Sequence, residues 1–253
     1  MLEHERAYLK WLDGVFEKYP DLVIENCSSG GLRTDYAMLA RYSIQSTSDQ
    51  EDYRNYATIA ANAGAALTPE QAAIWSYPLK DGDEEETIYN MVNALLLRIH
   101  QSGHLAQLSK ELATINTDSP LEFSYEKAKV ENPYTPEAYE LCKRLEYYKS
   151  IRQDIKKALP VWPNGFATSL DHFLCAGWKV EGKSYLAVWR RYGETSEYDI
   201  PLEKLTEGKP VKEVRLAYPK ESLKEHVSYE VSEDQQLHVS FKEPVMARIF
   251  EIR

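Results

Sequence analysis

The sequence predicts an α/β portion built around a parallel sheet, followed by an all-β portion with an antiparallel sheet. In the first part of the chain, short and uniformly apolar segments alternate with segments of helical period, which is typical of βαβ units. After residue 165, short segments with apolar-polar alternation follow one another across turns, as in a small β-sandwich. Residues 159–165 (LPVWPNG) are rich in Pro and Gly and separate the two patterns. We therefore predict domains at 1–160 and 165–253.

The α/β portion begins with a predicted helix at 2–18, in which Leu9, Leu12 and Val15 recur at helical spacing. The apolar run 21–25 (DLVIE) then predicts a buried strand. The alternation continues with a short helix at 35–41, a strand at 43–46, a helix at 51–63 and a strand at 65–67.

The most regular helix of the sequence begins at Glu84. Its apolar residues recur at i, i+3, i+4, i+7, i+8 and i+11 over 88–99, and three glutamates occupy the first turn, where the helix dipole favours them. Two further helices are predicted at 105–113 and 136–158. The second of these follows Thr135, which can cap it.

The all-β portion is predicted from alternation along the chain. Leu237, Val239 and Phe241 have the spacing of one strand face, without a helical period. The predicted strands are 172–179, 184–191, 211–217, 227–231, 236–241 and 245–252.

The composition restricts the classes of function. The chain of 253 residues carries 30 basic and 40 acidic side chains, for a net charge of −10, and 43% of its residues are hydrophobic. Such a chain can fold, and without clustered Lys and Arg it is not expected to bind nucleic acid. The longest apolar stretch, 88–99, is shorter than the span of about 20 residues that a membrane helix needs. We therefore predict neither a nucleic-acid nor a membrane partner.

The cysteines and the first residues predict a cytoplasmic protein. Cys27, Cys142 and Cys175 are odd in number and far apart, which fits a reducing compartment rather than a disulfide framework. The chain start lacks the basic and then apolar pattern of a secretory signal. Phosphate-binding glycine motifs are absent, and the pair His100 and His104 has no third ligand at metal spacing. We expect no cofactor and no metal.

The first candidate binding segment is 25–35 (ENCSSGGLRTD), directly after a predicted strand. Its consecutive small residues let a ligand approach the backbone, and Cys27, Arg33 and Asp35 can hydrogen-bond to that ligand. An ordinary strand-to-helix connection explains the composition equally well. Cys27 could act as a nucleophile, but no His is near it in sequence, and a single Cys after a strand is commonly a packing residue.

The second candidate segment is 44–52 (IQSTSDQED), at the end of the next predicted strand. Asp49 stands where a carboxylate projects from the carboxyl end of a parallel sheet. Glu51 and Asp52 are near enough in sequence to raise its pKa by repulsion, which suits a general acid. The alternative is structural: Ser48 and Glu51 have the spacing of a capping box, which makes Asp49 a first-turn residue of the next helix.

Several other residues have both a structural and a functional interpretation. Trp75 and Tyr77 follow the predicted strand 65–67 and suit either a platform for a sugar ring or ordinary packing. Segment 9–13 (LKWLD) lies inside the first predicted helix, so we assign it no catalytic role. The tryptophans of the second half are predicted to pack in the sandwich core: Trp162, Trp178 and Trp189.

Segments 25–35 and 47–52 (TSDQED) together closely resemble two motifs of the α-galactosidases, or melibiases, of glycoside hydrolase family 36. The residues ahead of the first motif, 19–25 (YPDLVIE), are also similar to the strand that precedes the Cys-Ser-Ser-Gly loop in that family. Order and spacing agree across both motifs. The resemblance extends over residues 5 to about 115, whereas the predicted sandwich is similar to the family's C-terminal domain in type only.

The resemblance implies hydrolysis of terminal α-galactosides with retention of configuration. Asp49 would be the acid/base, with Asp52 in a supporting position. The residues that the resemblance assigns to galactose binding are Cys27, Ser28, Ser29, Gly30 and Arg33.

The family has features that this sequence lacks. Its nucleophile lies upstream in a Lys-Trp-Asp motif at a strand end, which is absent here, and Ser46 replaces the Trp that usually stands three residues before the acid/base. A (β/α)8 barrel has eight strands in about 250 residues, whereas only three strands are predicted in the first 160 residues. We therefore expect a partial barrel, made of its last strands and helices, followed by a sandwich.

This expectation leaves more than one function open. In the first, the chain supplies the acid/base and part of the sugar loop of an α-galactosidase and is inactive alone. Its partners would be a galactoside substrate and the missing part of the barrel, a complementary chain or a further copy of itself. In the second, it is a non-catalytic carbohydrate-binding or assembly fragment. In a third, an unrecognised carboxylate such as Glu70 lies within about 5.5 Å of Asp49 and restores activity.

Overall fold

The computed structural model of the chain describes residues 2–27, 30–117, 145–220 and 223–253. Two predicted sugar-binding residues, Ser28 and Ser29, lie outside the described residues, as does the first part of the predicted helix 136–158.

The first 117 residues form a parallel sheet with helices packed on one face. Its four strands lie in sequence order, each parallel to the next. Because parallel strands need a crossover between them, helices and loops connect consecutive strands. The elements are α1 (Leu2–Lys18), β1 (Glu25–Asn26), α2 (Tyr36–Leu39), β2 (Ile44–Ser46), α3 (Tyr53–Asn62), β3 (Ala72–Ser76), α4 (Glu84–Leu95), β4 (Arg98–Gln101) and α5 (Lys110–Thr117).

The third strand is not where the sequence pattern placed it. Residues 65–67 were predicted as a strand, but the chain forms a 3-10 turn at Ala63–Ala65, and β3 follows at Ala72–Ser76. Most residues of β3 are buried, whichever face of the sheet they point to. The strand therefore lacks the apolar-polar alternation of a half-exposed strand. Strand β4 was also missed, because Ile99 continues the helical spacing of α4 beyond the end of that helix at Leu95.

Two other predictions in this portion need correction. The predicted buried strand at 21–25 is reduced to Glu25–Asn26, and Leu22 and Val23 are 42% and 60% exposed. In the described part of the chain β1 pairs with β2 alone and forms an edge of the sheet, which leaves the residues before it uncovered. The predicted helix at 105–113 is a 3-10 segment, Gly103–Gln107, followed by α5.

The remaining residues form a helix and two antiparallel sheets. One sheet has five strands in the order β5-β6-β7-β12-β9, and the other has three in the order β10-β11-β8. The predicted strands of the all-β portion are present within a few residues, but β5 and β8 were not predicted. The elements are α6 (Glu146–Ile155), β5 (Leu159–Val161), β6 (Phe173–Val180), β7 (Lys183–Arg190), β8 (Glu197–Pro201), α7 (Glu203–Thr206), β9 (Val214–Tyr218), β10 (Val227–Val231), β11 (Gln236–Phe241) and β12 (Met246–Ile252).

One apolar core joins the α/β portion to the five-stranded sheet. Trp178 and Trp189 are buried in it, together with residues of α3 and α4. The indole N–H of Trp189 donates to Oδ1 of Asn93 on α4 at 2.9 Å. Gly64 lies so close to Trp178 that a Cβ there would be 2.5 Å from the indole ring. Trp178 and Trp189 are thus core residues, as predicted, but their core is shared with the helices. Trp162, predicted with them, is only partly buried and packs against this core.

The three-stranded sheet packs on the other face of the five-stranded one and encloses a second apolar core. Leu237, Val239 and Phe241 of β11 all point into it and are at most 1% exposed, which agrees with their predicted alternation. None of the helices in the described ranges has the length and apolar content needed to cross a membrane.

Candidate active site

The two candidate segments meet at the carboxyl edge of the parallel sheet. Gly30 follows β1 with a φ of +74°, and a Cβ built on it would be 2.5 Å from the Cα of Ser48 and 3.1 Å from the backbone N of Asp49. Only glycine fits such a close approach at a left-handed φ. The loop after β1 therefore lies directly against the loop after β2 that carries Asp49.

Buried side chains shape the loop after β1. The amide of Asn26 donates to Arg33 O at 3.1 Å and to Oε1 of Gln45 on β2 at 2.5 Å. These bonds tie the far end of the loop to the strand from which it starts. Asp35 then accepts from the first backbone N–H groups of α2 and caps that helix. Cys27 and Arg33 are exposed on this loop, so burial of Cys27 as a packing residue is excluded.

The helix after Asp49 is capped by Asp52, and the capping box predicted from Ser48 and Glu51 is wrong. The carboxylate of Asp52 accepts from the backbone N–H groups of Arg54 and Asn55, whereas Ser48 Oγ accepts only from Gln50 N in the loop. Helix α3 begins four residues later than that box required, at Tyr53 instead of Asp49. Asp49 is thus an exposed loop residue ahead of the helix.

Asp52 is held by Arg54 and is not available as a free charge beside Asp49. The guanidinium donates to both carboxylate oxygens, at 3.0 and 2.6 Å. This pairing lowers the pKa of Asp52 below its usual value. The repulsion expected from Asp52 is therefore largely neutralised by its partner.

An aromatic group lines the same edge of the sheet. Trp75 belongs to β3, not to a connection after it, and Tyr77 follows the strand directly. Their rings are stacked, with centroids 5.9 Å apart. The ring of His100 on β4 lies edge-on to Trp75 at 5.0 Å, and His104 lies 5.9 Å from Tyr77.

Tyr77 lies among the residues of both candidate segments. Burial is the largest cause that raises the pKa of its phenol, and the charges of Glu51, Asp49 and Cys27 raise it further. Such an effect needs these groups to be near the phenol. The structure therefore gathers Cys27, Asp49 and Tyr77 in one region, although they come from three different strand ends.

The sheet is curved, and the aromatic group lies on its concave face. Glu25 and His100 stand on the two edge strands, which lie about 14 Å apart in a flat four-stranded sheet, yet Oε1 of Glu25 is 3.9 Å from Nδ1 of His100. Between them, β2 and β3 present the small residues Ser46 and Ala73 at matching register. Burial lowers the pKa of His100, and the charge of Glu25 opposes that effect.

The structure separates other residues that the sequence had grouped. His100 is in β4 and His104 in the 3-10 segment, so they do not share a helix face. Across the described ranges, no three His, Cys, Asp or Glu residues are arranged to hold a metal ion. Asp13 of segment 9–13 lies within α1 and pairs with Arg41. Glu70 precedes β3 and lies at the amino end of the sheet, away from Asp49 at the carboxyl end.

Sequence reasoning missed the residues that support Tyr77 from behind. Glu86 and Asn90 are buried on α4, and both bond to the chain segment that begins at Tyr77. The sequence pattern did not reveal them, because at about 100° per residue Glu86 and Asn90 lie opposite the apolar stripe of α4. Only the structure shows that this helix is buried on every side from Glu86 to Leu95. Buried polar residues of this kind need specific partners.

The fold is similar to that of solved glycosidases. The galactosidase domain of the α-galactosidase-sucrose kinase AgaSK matches with a TM-score of 0.57 at 18% identity, over 96% of this chain and 30% of that chain. The GH36 α-galactosidase AgaA from Geobacillus stearothermophilus matches with a TM-score of 0.57 at 12% identity, over the same shares. A debranching enzyme from Nostoc punctiforme matches with a TM-score of 0.56 at 10% identity, over 96% of this chain and 54% of that chain.

Sequence comparisons add nothing to this likeness. No family model matches the chain, and no curated protein matches it. The chain spans 30% of the length of the α-galactosidases with which it aligns. With its parallel α/β sheet followed by antiparallel sheets, the chain has the fold of the C-terminal part of GH36 α-galactosidases, which confirms the predicted fold class.

Proposed function

We propose that the chain contributes the acid/base and part of the galactose-binding loop of a retaining α-galactosidase. The observation that carries this proposal is the contact between Gly30 and the backbone at Ser48 and Asp49. It brings the loop that resembles the family's sugar-binding motif against the loop that resembles its acid/base motif. The shared fold supports the same assignment.

Asp49 acts twice in this mechanism. Its protonated carboxyl gives a proton to the glycosidic oxygen as the bond to galactose breaks, and its carboxylate then takes a proton from the water that releases galactose. Asp49 suits this role because it is exposed at the carboxyl edge of the sheet and has no part in capping α3. The resemblance assigns the sugar hydroxyls to Cys27, Ser28, Ser29, Gly30 and Arg33.

The nucleophile comes from outside this chain. A retaining glycosidase needs a second carboxylate about 5 to 5.5 Å from the first, and the only sequence similar to Lys-Trp-Asp here, 10–13, lies in helix α1. Among the residues that the structure describes, no strand pairs with the outer side of either edge strand of the parallel sheet, β1 or β4. The remaining barrel strands therefore add at these edges, from a longer chain or a complementary one.

Hydrolysis of galactosides tests this role for Asp49. The chain is assayed alone and after combination with the nucleophile-bearing part of an α-galactosidase barrel. We expect hydrolysis only in the combined protein, and we expect Asp49→Asn to lower kcat by about 10² to 10⁴. The loss should be greater for melibiose than for a dinitrophenyl galactoside, because the better leaving group needs less protonation.

A matched control is Asp21→Asn, which alters an exposed aspartate in the turn before β1. It should keep the activity of the combined protein. Equal losses for the two leaving groups would show that Asp49 is not the acid, and full activity of the Asp49 variant would remove the whole assignment.

The second candidate function is sugar binding without turnover. It is favoured by the position of Asp13, which pairs with Arg41 on the outer side of the sheet and cannot act as the second carboxylate. In this case calorimetry on the chain alone should detect binding of D-galactose. Arg33→Ala should weaken that binding, and the combined protein should show no hydrolysis. Absence of binding at millimolar galactose would reject this candidate.

A further inference from the structure

The main chain of Tyr77 is held by a single side chain. Asn90, on the second turn of α4, accepts from the N–H of Tyr77 at 3.0 Å and donates to its carbonyl oxygen at 2.7 Å. An amide that bonds to both the N–H and the C=O of one residue acts like a neighbouring strand. The hydrogen bonding of β3, which ends at Ser76, is thereby continued by one residue, and the backbone that carries the Tyr77 ring is held in place.

Glu86 holds both the amide and the loop that follows. Its Oε1 accepts from the side chain of Asn90 at 3.1 Å, and its Oε2 accepts from the N–H of Leu79 at 3.3 Å. A Cβ on Gly82 would be 2.5 Å from Oε2 of Glu86, so the loop closes tightly around this carboxyl group. Residues 77–83 thus wrap around Glu86, which is 5% exposed.

Burying Glu86 in this way destabilises the fold, and a loop that only joined a strand to a helix would not need it. A buried carboxyl group pays a desolvation cost that an apolar residue would avoid. Burial raises the pKa of Glu86 to about 7, and the nearby Asp83 carboxylate adds to that effect. Tyr53 of α3 also faces Glu86. The amide of Asn90 has both N–H groups and its oxygen engaged, so its orientation depends on Glu86.

Resting on the proposed function, we propose that Tyr77 is a sugar-contacting residue and that Asn90 and Glu86 are positioning residues that hold its ring at the site. The ring stacks on Trp75 and lies close to Asp49 and Cys27. An aromatic ring at this place offers an apolar face for the C–H groups of a sugar and a hydroxyl for its polar groups.

NMR on the whole chain labelled with ¹³C in the tyrosine rings tests this proposal. The Tyr77 signal is identified by its loss in Tyr77→Phe. D-Galactose is titrated into the wild type, Glu86→Gln and Asn90→Asp. We expect galactose to shift the Tyr77 signal in the wild type. Half-saturation should require about tenfold more galactose in the two variants, as expected when hydrogen bonds that fix a contact residue are lost.

A pH titration of the Tyr77 signal separates a positioning role of Glu86 from a general destabilisation of the fold. The measurement is made in His104→Gln, which removes the imidazole 5.9 Å from the Tyr77 ring. Between about pH 5 and pH 9 the Tyr77 signal should then follow the ionisation of Glu86, and this titration should disappear when Glu86→Gln is added. Glu51→Gln, which changes an exposed carboxylate that also acts on Tyr77, should keep it. An unchanged titration in Glu86→Gln would overturn the positioning role.

The galactose titration also separates failure of this proposal from failure of the proposed function. If galactose shifts other tyrosine signals but not that of Tyr77, the contact is refuted and the galactose site stands. If galactose shifts no tyrosine signal, the contact is refuted as well. The role of Asp49 is then decided by the hydrolysis assay alone.

Discussion

Arg248 of β12 and Glu85 of α4 form a bidentate ion pair between the antiparallel sheet and the α/β portion. Nη1 and Nη2 of Arg248 donate to the two carboxylate oxygens at 2.7 and 2.6 Å. The arginine side chain is fully buried and also donates to the carbonyl of Leu223. Nδ1 of His226 lies 3.0 Å from the same carboxylate.

Removing one partner of this pair should destabilise the fold strongly. Glu85→Ala leaves the guanidinium of Arg248 buried without its carboxylate, which should cost about 3 to 5 kcal/mol of unfolding free energy. Urea denaturation measures the loss. Glu146→Ala, which removes one partner of the exposed pair with Lys149, is the control and should cost less than about 1 kcal/mol. Similar losses in the two variants would contradict the importance of burial.

Gly30→Ala should disrupt the contact between the two candidate loops. Gly208 is its matched control, because its φ of +73° is nearly that of Gly30, at +74°, but no atom lies within 4 Å of a Cβ there. Gly208→Ala should cost only the left-handed strain of about 1 to 2 kcal/mol. Gly30→Ala adds a clash with the backbone at Ser48, so its cost in urea denaturation should be greater, and galactose binding should be lost. Equal losses of unfolding free energy in Gly30→Ala and Gly208→Ala would mean that the loop after β1 is not held against Ser48.

Asp52→Ala should destabilise helix α3 by about 1 to 2 kcal/mol, because it removes the N-cap. Because the folded-state pKa of Asp52 is lowered, its stabilisation is present above the unfolded value of about 3.9 and is lost as the pH falls through the lower folded value. Unfolding curves at neutral and acid pH measure both effects. Asp49→Ala should leave the stability of α3 within about 0.5 kcal/mol; a larger loss would indicate a cap that the structure does not show.

Glu86 should lower the unfolding free energy of the protein as the pH rises from about 4.3 to 7. Its folded-state pKa of about 7 lies above the unfolded value, so the folded protein holds a proton that the unfolded chain releases between about pH 4.3 and pH 7. The unfolding free energy should therefore fall by roughly 3 kcal/mol over this range. Glu86→Gln should remove that decrease in urea titrations at several pH values. A wild-type curve that is flat from pH 4 to pH 7 would refute this expectation.

The parts of the fold that were predictable are those with a strong local pattern. The alternation in β11 was recognised because that strand buries one side fully. Helix α4 was recognised from its apolar stripe and acidic first turn, although it is buried on every side from Glu86 to Leu95. Strand β3 was not recognised, because most of its residues are buried on both faces. Strand β4 was hidden by the chance helical spacing of Ile99.

The candidate site was predictable only where it lies in continuous segments. Asp49 and the loop around Gly30 could be named from short motifs. The cap at Asp52 could not be separated from the capping box, since both place acidic residues ahead of the same helix. The contact of Glu25 with His100 depends on the curvature of the sheet, and the support of Tyr77 by Asn90 depends on how α4 packs. Neither relationship is local in sequence.

The packing of Trp178 against Gly64, together with the bond from Trp189 to Asn93, bears on how the molecule melts. The same apolar core contains residues from α3, α4 and the five-stranded sheet. Unfolding of the helices would therefore expose the indole rings of Trp178 and Trp189, and unfolding of the sheet would expose apolar side chains of the helices. Calorimetry should therefore record one cooperative heat-absorption peak. A protease cut in the exposed segment around Leu170 should leave two pieces that elute together under native conditions.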